Sequence, residues 1–129
     1  MCALPLATGA GQRVLLVEDH LESAASMERL LQLFGYEVRV ETNGLAAVEV
    51  APQFAPFSAL IDLSLPLLDG FGVAARLRAL PETRDALLIA MTGWATEEHE
   101  RRARAAGFNK HLVKPLSVDM LVGALAVHA

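Results

Sequence analysis

From Arg13 onward the chain alternates two hydrophobic patterns. Short apolar runs rich in valine, leucine and isoleucine, such as "VLLV" and "ALLIAM", read as strands buried on both faces, because a half-exposed strand would alternate apolar with polar residues. Between them lie longer segments whose apolar residues recur at helical spacing. The pattern predicts strands near 13–18, 36–41, 57–62, 87–92 and 109–113, and helices near 20–34, 44–52, 70–79, 96–106 and 117–127. The punctuation agrees: Gly35 and Gly107 stand where helix C-termini place glycine, and Thr96 and Ser117 stand where N-caps belong.

Five successive β–α units predict an α/β fold, a doubly wound five-stranded parallel sheet covered by helices on both faces. The expected strand order is 2-1-3-4-5, the flavodoxin-like (βα)5 arrangement, whose ligand crevice lies at the carboxyl ends of the strands.

The length of 129 residues and the 53% hydrophobic content suit one packed domain. Residues 1–12, small and glycine-containing, read as a flexible leader, leaving 13–129 as the domain. No apolar run approaches the ~20 residues of a membrane helix. The net charge of -4, with bases dispersed except Arg101, Arg102 and Arg104, argues against direct nucleic-acid binding. That arginine run reads as a solvated helix face. Cys2 is the only cysteine, so an internal disulfide or a cysteine-rich zinc site is excluded. The opening residues lack the basic start of a secretion signal, and a cytoplasmic setting is expected.

Candidate chemistry appears at the strand ends. Glu18 and Asp19 follow the first strand, Asp62 ends the third, Thr92 the fourth, and Lys114 follows the fifth. On a sheet of the expected order these residues converge on one edge. Three carboxylates in one pocket repel by roughly 3 kcal/mol per pair at ~5 Å and an effective dielectric of ~20. A hard divalent cation such as Mg²⁺, with Mn²⁺ as an alternative, would remove the conflict through oxygen ligands. Read without the other strand ends, Glu18 and Asp19 would simply mark a helix N-terminus, where acids favour the dipole.

These residues resemble the receiver domains of bacterial two-component response regulators. The resemblance covers about residues 13–128 and rests on "LLVEDH", "ALIDLSLPLLDGFG", "IAMTGW" and "HLVKPLS", in that order and spaced by β–α units. It implies that Asp62 accepts a phosphoryl group from a phosphohistidine. It further implies Mg²⁺ held by Glu18, Asp19, Asp62 and the Ser64 backbone carbonyl, with Lys114 and Thr92 contacting the phosphoryl oxygens. The Lys114–Pro115 peptide would be cis; as residues alone, an X-Pro bond after a strand leaves cis and trans open. Ser64 and Trp94 would flank the phosphoryl group and set its lifetime.

The resemblance also implies a switch in which Thr92 moves toward the phosphoryl group while a residue of the fifth strand turns inward. That residue is commonly aromatic and is His111 here, which suggests either a histidine exposed on the sheet edge or a ring able to turn inward and carry charge near pH ~6.5. The implied partners are a histidine kinase or histidine phosphotransfer protein, and a downstream protein on the face of the fourth helix, fifth strand and fifth helix. Leu116, Val118, Leu121, Val122, Leu125 and Val127 exceed one buried stripe there, leaving open a dimer mate, a partner, or burial by the sheet. The chain reads as a signalling module and not an enzyme, beyond its own Mg²⁺-dependent phosphorylation and dephosphorylation. An aspartyl-phosphate phosphatase would want a second aspartate at position 64, which is serine. A pseudo-receiver binding module would want Asp19, Asp62 or Lys114 missing, and all three are present.

Overall fold

The computed structural model describes residues 11–94 and 96–126. Ten elements alternate along the chain: β1 (Arg13–Val17), α1 (Leu21–Leu33), β2 (Glu37–Glu41), α2 (Gly44–Phe54), β3 (Ser58–Asp62), α3 (Gly70–Ala79), β4 (Leu87–Thr92), α4 (Glu97–Ala106), β5 (Lys110–Val113) and α5 (Val118–Ala126). The five strands form one sheet in the order β2-β1-β3-β4-β5, and every pairing is parallel. The expected fold class is therefore observed. Of the expected leader, residues 1–10 lie outside the described residues, while Gly11 N–H donates to Gly35 O and Glu37 N–H to Gln12 O. Val127 and His128 also lie outside them.

The apolar runs of β3 and β4 are buried along their whole length, and so are the four apolar residues of β1. Alternation divides their side chains between two cores. Val14, Leu16, Leu60, Ile89 and Met91 pack with Ala24 and Leu31 of α1 and with Leu121 and Leu125 of α5. Leu15, Val17, Ala59, Ile61, Leu88 and Ala90 face Ala47, Val73, Leu77 and Ala103 of α2, α3 and α4. At ~1.5–3 kcal/mol per fully buried large side chain, these layers supply most of the drive to fold. The edge strand β2 instead reads "EVRVE", with charges that blunt its unpaired side.

Each helix start has a local cause. The side chains of His20, Asn43, Asp69 and Thr96 accept the N–H of Ser23, Ala46, Gly72 and His99, and Ser117 Oγ accepts Met120 N–H. Gly107 ends α4 in the left-handed region, as its position suggested. The α2 helix runs two residues past the expected boundary, and Pro52 is tolerated in its last turn, where it removes one hydrogen bond without ending the helix.

Close backbone approach holds the loop after β3 in place. Gly44 N–H donates to Pro66 O, and a Cβ at Gly44 would overlap the Leu68 carbonyl. Gly44→Ala should therefore force the β3–α3 loop away from α2 and cost about 1–3 kcal/mol, as overpacking does. Chemical denaturation checks this; an unchanged midpoint would mean the loop yields freely.

Candidate functional site

The carboxyl edge of the sheet gathers the polar strand-end residues named above. Burial makes the Glu18 side chain unusual, since only 1% of the residue is exposed. Its two carboxylate oxygens are both engaged: Oε1 accepts from Lys114 Nζ at 2.9 Å, and Oε2 accepts from His20 N–H at 3.1 Å. Asp62, also buried, accepts from Lys114 Nζ through Oδ2 at 2.8 Å and from Ser64 N–H through Oδ1 at 2.9 Å. Asp19 is exposed beside them, and the three carboxylates each place an oxygen within 4.8 Å of the others.

Local sequence explains how each side chain arrives. Glu18 follows β1 as the chain turns into α1, so its carboxylate meets the N–H of the helix-capping residue two positions on. Asp62 ends β3, and Gly70 lets the start of α3 pass against its backbone, where a Cβ would collide with Asp62 O. Lys114 follows β5 and is joined to β4 by its N–H to Thr92 O, at 2.7 Å. Its peptide to Pro115 is cis.

Electrostatics favour an ammonium held between two carboxylates. Burial raises the Glu18 pKa above the usual carboxylate value, an effect that the Lys114 hydrogen bond and the His20 N–H oppose and the nearby Asp62 charge reinforces. For Lys114, burial works to lower the pKa, yet the hydrogen bonds and charges of Asp62 and Glu18 outweigh it and the net shift is upward. Both effects have one physical source: a charged cluster withdrawn from water must satisfy itself.

Thr92 is buried, and its hydroxyl oxygen accepts Trp94 N–H at 3.0 Å, while the Trp94 side chain stands 61% exposed. Leu67 lies on the loop between Asp62 and α3, 74% exposed and at a positive φ of 71°. The adjacent Leu68 N–H donates to Pro66 O at 2.8 Å, closing a γ-turn around it. A leucine there costs on the order of 1–3 kcal/mol. Beside the acidic cluster a cavity of about 590 Å³ opens between α1 and the start of α5, lined by Glu18, His20, Ser26, Met27, Lys114 and Leu116 among others.

The sequence brought Glu18, Asp19, Asp62, Thr92 and Lys114 to one edge, and the fold places them there. It did not reveal that Lys114 bridges Glu18 and Asp62, because that contact joins positions 96 residues apart. Nor did it show the γ-turn at Leu67, for which "LPLLDG" carries only a generic turn signal. His111 requires a correction. It is not an exposed edge histidine: its side chain is 15% exposed, beneath α4. Alternation along β5 sends Leu112 into the α1/α5 core and so turns His111 to the opposite face. The surface expectation for α5 divides: Leu121 and Leu125 are buried, Leu116 and Val122 half-buried, and Val118 exposed.

Comparison with known proteins agrees with this geometry. The transcriptional regulatory protein PrrA of Mycobacterium tuberculosis is 33% identical over 110 residues, which cover 85% of this chain but 46% of PrrA, so the chain spans about half the length of that relative. The polar-differentiation response regulator DivK of Brucella anthropi is 32% identical over 109 residues, 84% of this chain and 89% of DivK. Among solved structures, the receiver domain of the sensor histidine kinase PA1611 from Pseudomonas aeruginosa superposes with a TM-score of 0.83 at 33% identity, covering 89% of this chain and 94% of that one. It carries a magnesium ion coordinated in its active-site cleft. The family described as the response regulator receiver domain matches residues 14–126, a span that takes in all five helices and, but for Arg13, all five strands. The chain therefore belongs to the response regulator receiver domain family.

Proposed function

We propose that this chain is the phosphoacceptor of a two-component phosphorelay, taking a phosphoryl group from a histidine kinase or histidine phosphotransfer protein onto Asp62. The observation that carries this reading is the Lys114 ammonium bonded to both Glu18 and Asp62, with Asp19 open to solvent beside them. In the transfer, an Asp62 carboxylate oxygen bonds to phosphorus as the bond from phosphorus to the donor's imidazole nitrogen breaks. The bonding pair stays with the imidazole.

The donor set fits a hard divalent ion, since it offers oxygen atoms only and one ammonium against three carboxylates. Asp19 and Asp62 would hold Mg²⁺ most directly with the Ser64 carbonyl, and Glu18 would act from behind, because both of its oxygens are already engaged. The bound ion supplies charge neutralisation at the reacting centre. Ser64 N–H and Lys114 orient the Asp62 carboxylate. The Thr92 oxygen is occupied by Trp94 N–H, which leaves the hydroxyl proton to be donated to an incoming phosphoryl oxygen. Ser64, whose N–H meets Asp62, and Trp94, whose N–H meets Thr92, would govern access of water to the acceptor. Output passes to a protein partner through the face of α4, β5 and α5.

Intact mass after incubation with acetyl phosphate tests this reading. Wild type should gain one phosphoryl group only when Mg²⁺ is present, and Asp62→Asn should gain none. No gain by wild type under any condition would overturn it in favour of a phosphorylation-independent interaction module.

A further inference from the structure

The helix over His111 is weakly seated. Of the α4 residues only Ala103 is buried, whereas α3 buries Gly70, Val73, Ala74 and Leu77. His111 shares a small cavity beneath α4 with Glu100, Ala103 and Arg104 of the helix. Its Nδ1 faces Glu100 Oε2 at 3.7 Å, beyond hydrogen-bonding distance, and its Nε2 is buried with no hydrogen-bonding partner among the described residues.

That arrangement accommodates one protonation state. In the neutral ring a single nitrogen carries hydrogen, and with that hydrogen on Nδ1 the buried Nε2 is a bare acceptor, the less costly orphan. Protonation adds an N–H at Nε2 where no acceptor waits, together with a charge in a largely dry place. The surrounding charges do not offset this. From α4, Glu100 attracts the ring and Arg104, which lines the same small cavity, repels it. Glu100 is half exposed, so its attraction is screened. On β5, Lys110 sends its ammonium to the Ala124 carbonyl on the other side of the sheet. The neighbouring strand offers Ala90 opposite His111 and no charge along Leu87–Thr92.

We propose that His111 makes the seating of α4 pH-dependent: neutral, the ring stays beneath the helix; protonated, it leaves and α4 loosens. Acid would then alter the face formed by α4, β5 and α5 without any phosphoryl group at Asp62. The inference is independent of the proposed phosphorelay, because it concerns the unphosphorylated chain.

Hydrogen exchange of the α4 amides, corrected for intrinsic rates and followed from about pH 8 to about pH 5.5, brackets histidine titration and tests it. The α4 opening equilibrium should rise by about tenfold toward acid, while β1 and β3 stay constant. His111→Phe, which keeps an apolar ring beneath α4, should abolish the change. His99 is the histidine of α4 itself, its Nδ1 lying 2.7 Å from Thr96 Oγ1, so His99→Gln should retain the change. Exchange that is flat with pH in wild type, acid tightening of α4, or an equal response in His111→Phe would overturn the proposal. A response lost in His99→Gln would overturn it as well.

Discussion

Replacing Lys114 with methionine should destabilise the protein by about 3 kcal/mol at neutral pH, because it strips the cation from a buried carboxylate. That is the low end for breaking a buried pair, since the lysine side chain is one-third exposed. The loss should depend on pH in a specific direction. Glu18 has a raised pKa even with Lys114 present, with burial as the main cause. A carboxyl group raised in the fold contributes stability below its unfolded value and loses it as pH rises through the folded value. Removing Lys114 removes both its hydrogen bond and its charge, so the raised value climbs further and the loss at neutral pH deepens. The lysine's own contribution runs in the same direction but in a higher pH window. Its pKa is raised, so its contribution is complete below the unfolded value and fades only as pH rises through the folded one, in the alkaline range.

Lys114→Met should therefore match wild type most closely in acid and diverge as pH rises toward neutrality. Denaturation midpoints measured from about pH 4 to about pH 8 would show it. Adding Glu18→Gln to Lys114→Met should recover most of the loss, since the uncompensated charge is then gone. A deficit equal at every pH, unaffected by Glu18→Gln, would instead mean lost packing.

Asp19→Asn should separate stability from function. Its carboxylate lies within 4.8 Å of its two acidic neighbours, where an unscreened pair at an effective dielectric of ~20 would repel by about 3 kcal/mol. Exposure of Asp19 screens most of this, so without Mg²⁺ the variant should be more stable than wild type by up to about 1 kcal/mol. With Mg²⁺ the order should reverse: wild type gains stability as ligand binding drives folding, and Asp19→Asn gains much less. Uptake of phosphoryl from acetyl phosphate should fall at least tenfold in the variant, a loss of about 1.4 kcal/mol or more in transition-state stabilisation. Thermal denaturation with and without Mg²⁺, paired with intact mass, reads both effects. Equal Mg²⁺ stabilisation of the two proteins would remove Asp19 from the ion's ligands.

The sequence showed the architecture because the parallel sheet is buried on both faces. Strands such as "ALLIAM" must be apolar throughout, and the helices between them must carry one apolar stripe, so the two periods separate cleanly. Boundaries were less legible: the pattern placed the end of α2 at 52, and the helix runs to Phe54. The acidic constellation was legible for a different reason. Each member ends or follows a strand, and in a doubly wound sheet all strand ends meet at one edge.

Contacts made across the fold were not legible. The charge of Lys114 is in the sequence, but its sharing between Glu18 and Asp62 depends on β5 lying beside β4 and on the turn that follows β5. The orientation of His111 likewise depended on register. A one-residue shift in β5 would have placed it against α5 rather than α4, with every other side chain of the strand exchanged as well. By itself, then, the sequence determined the elements, their order and the set of chemical groups at the sheet edge, because local periodicity and strand-end position are properties of short segments. Only the tertiary structure decided which of those groups touch, which are buried and that Nε2 of His111 is buried without a partner among the described residues, because burial and pairing arise from segments far apart in the chain brought to within a few ångströms.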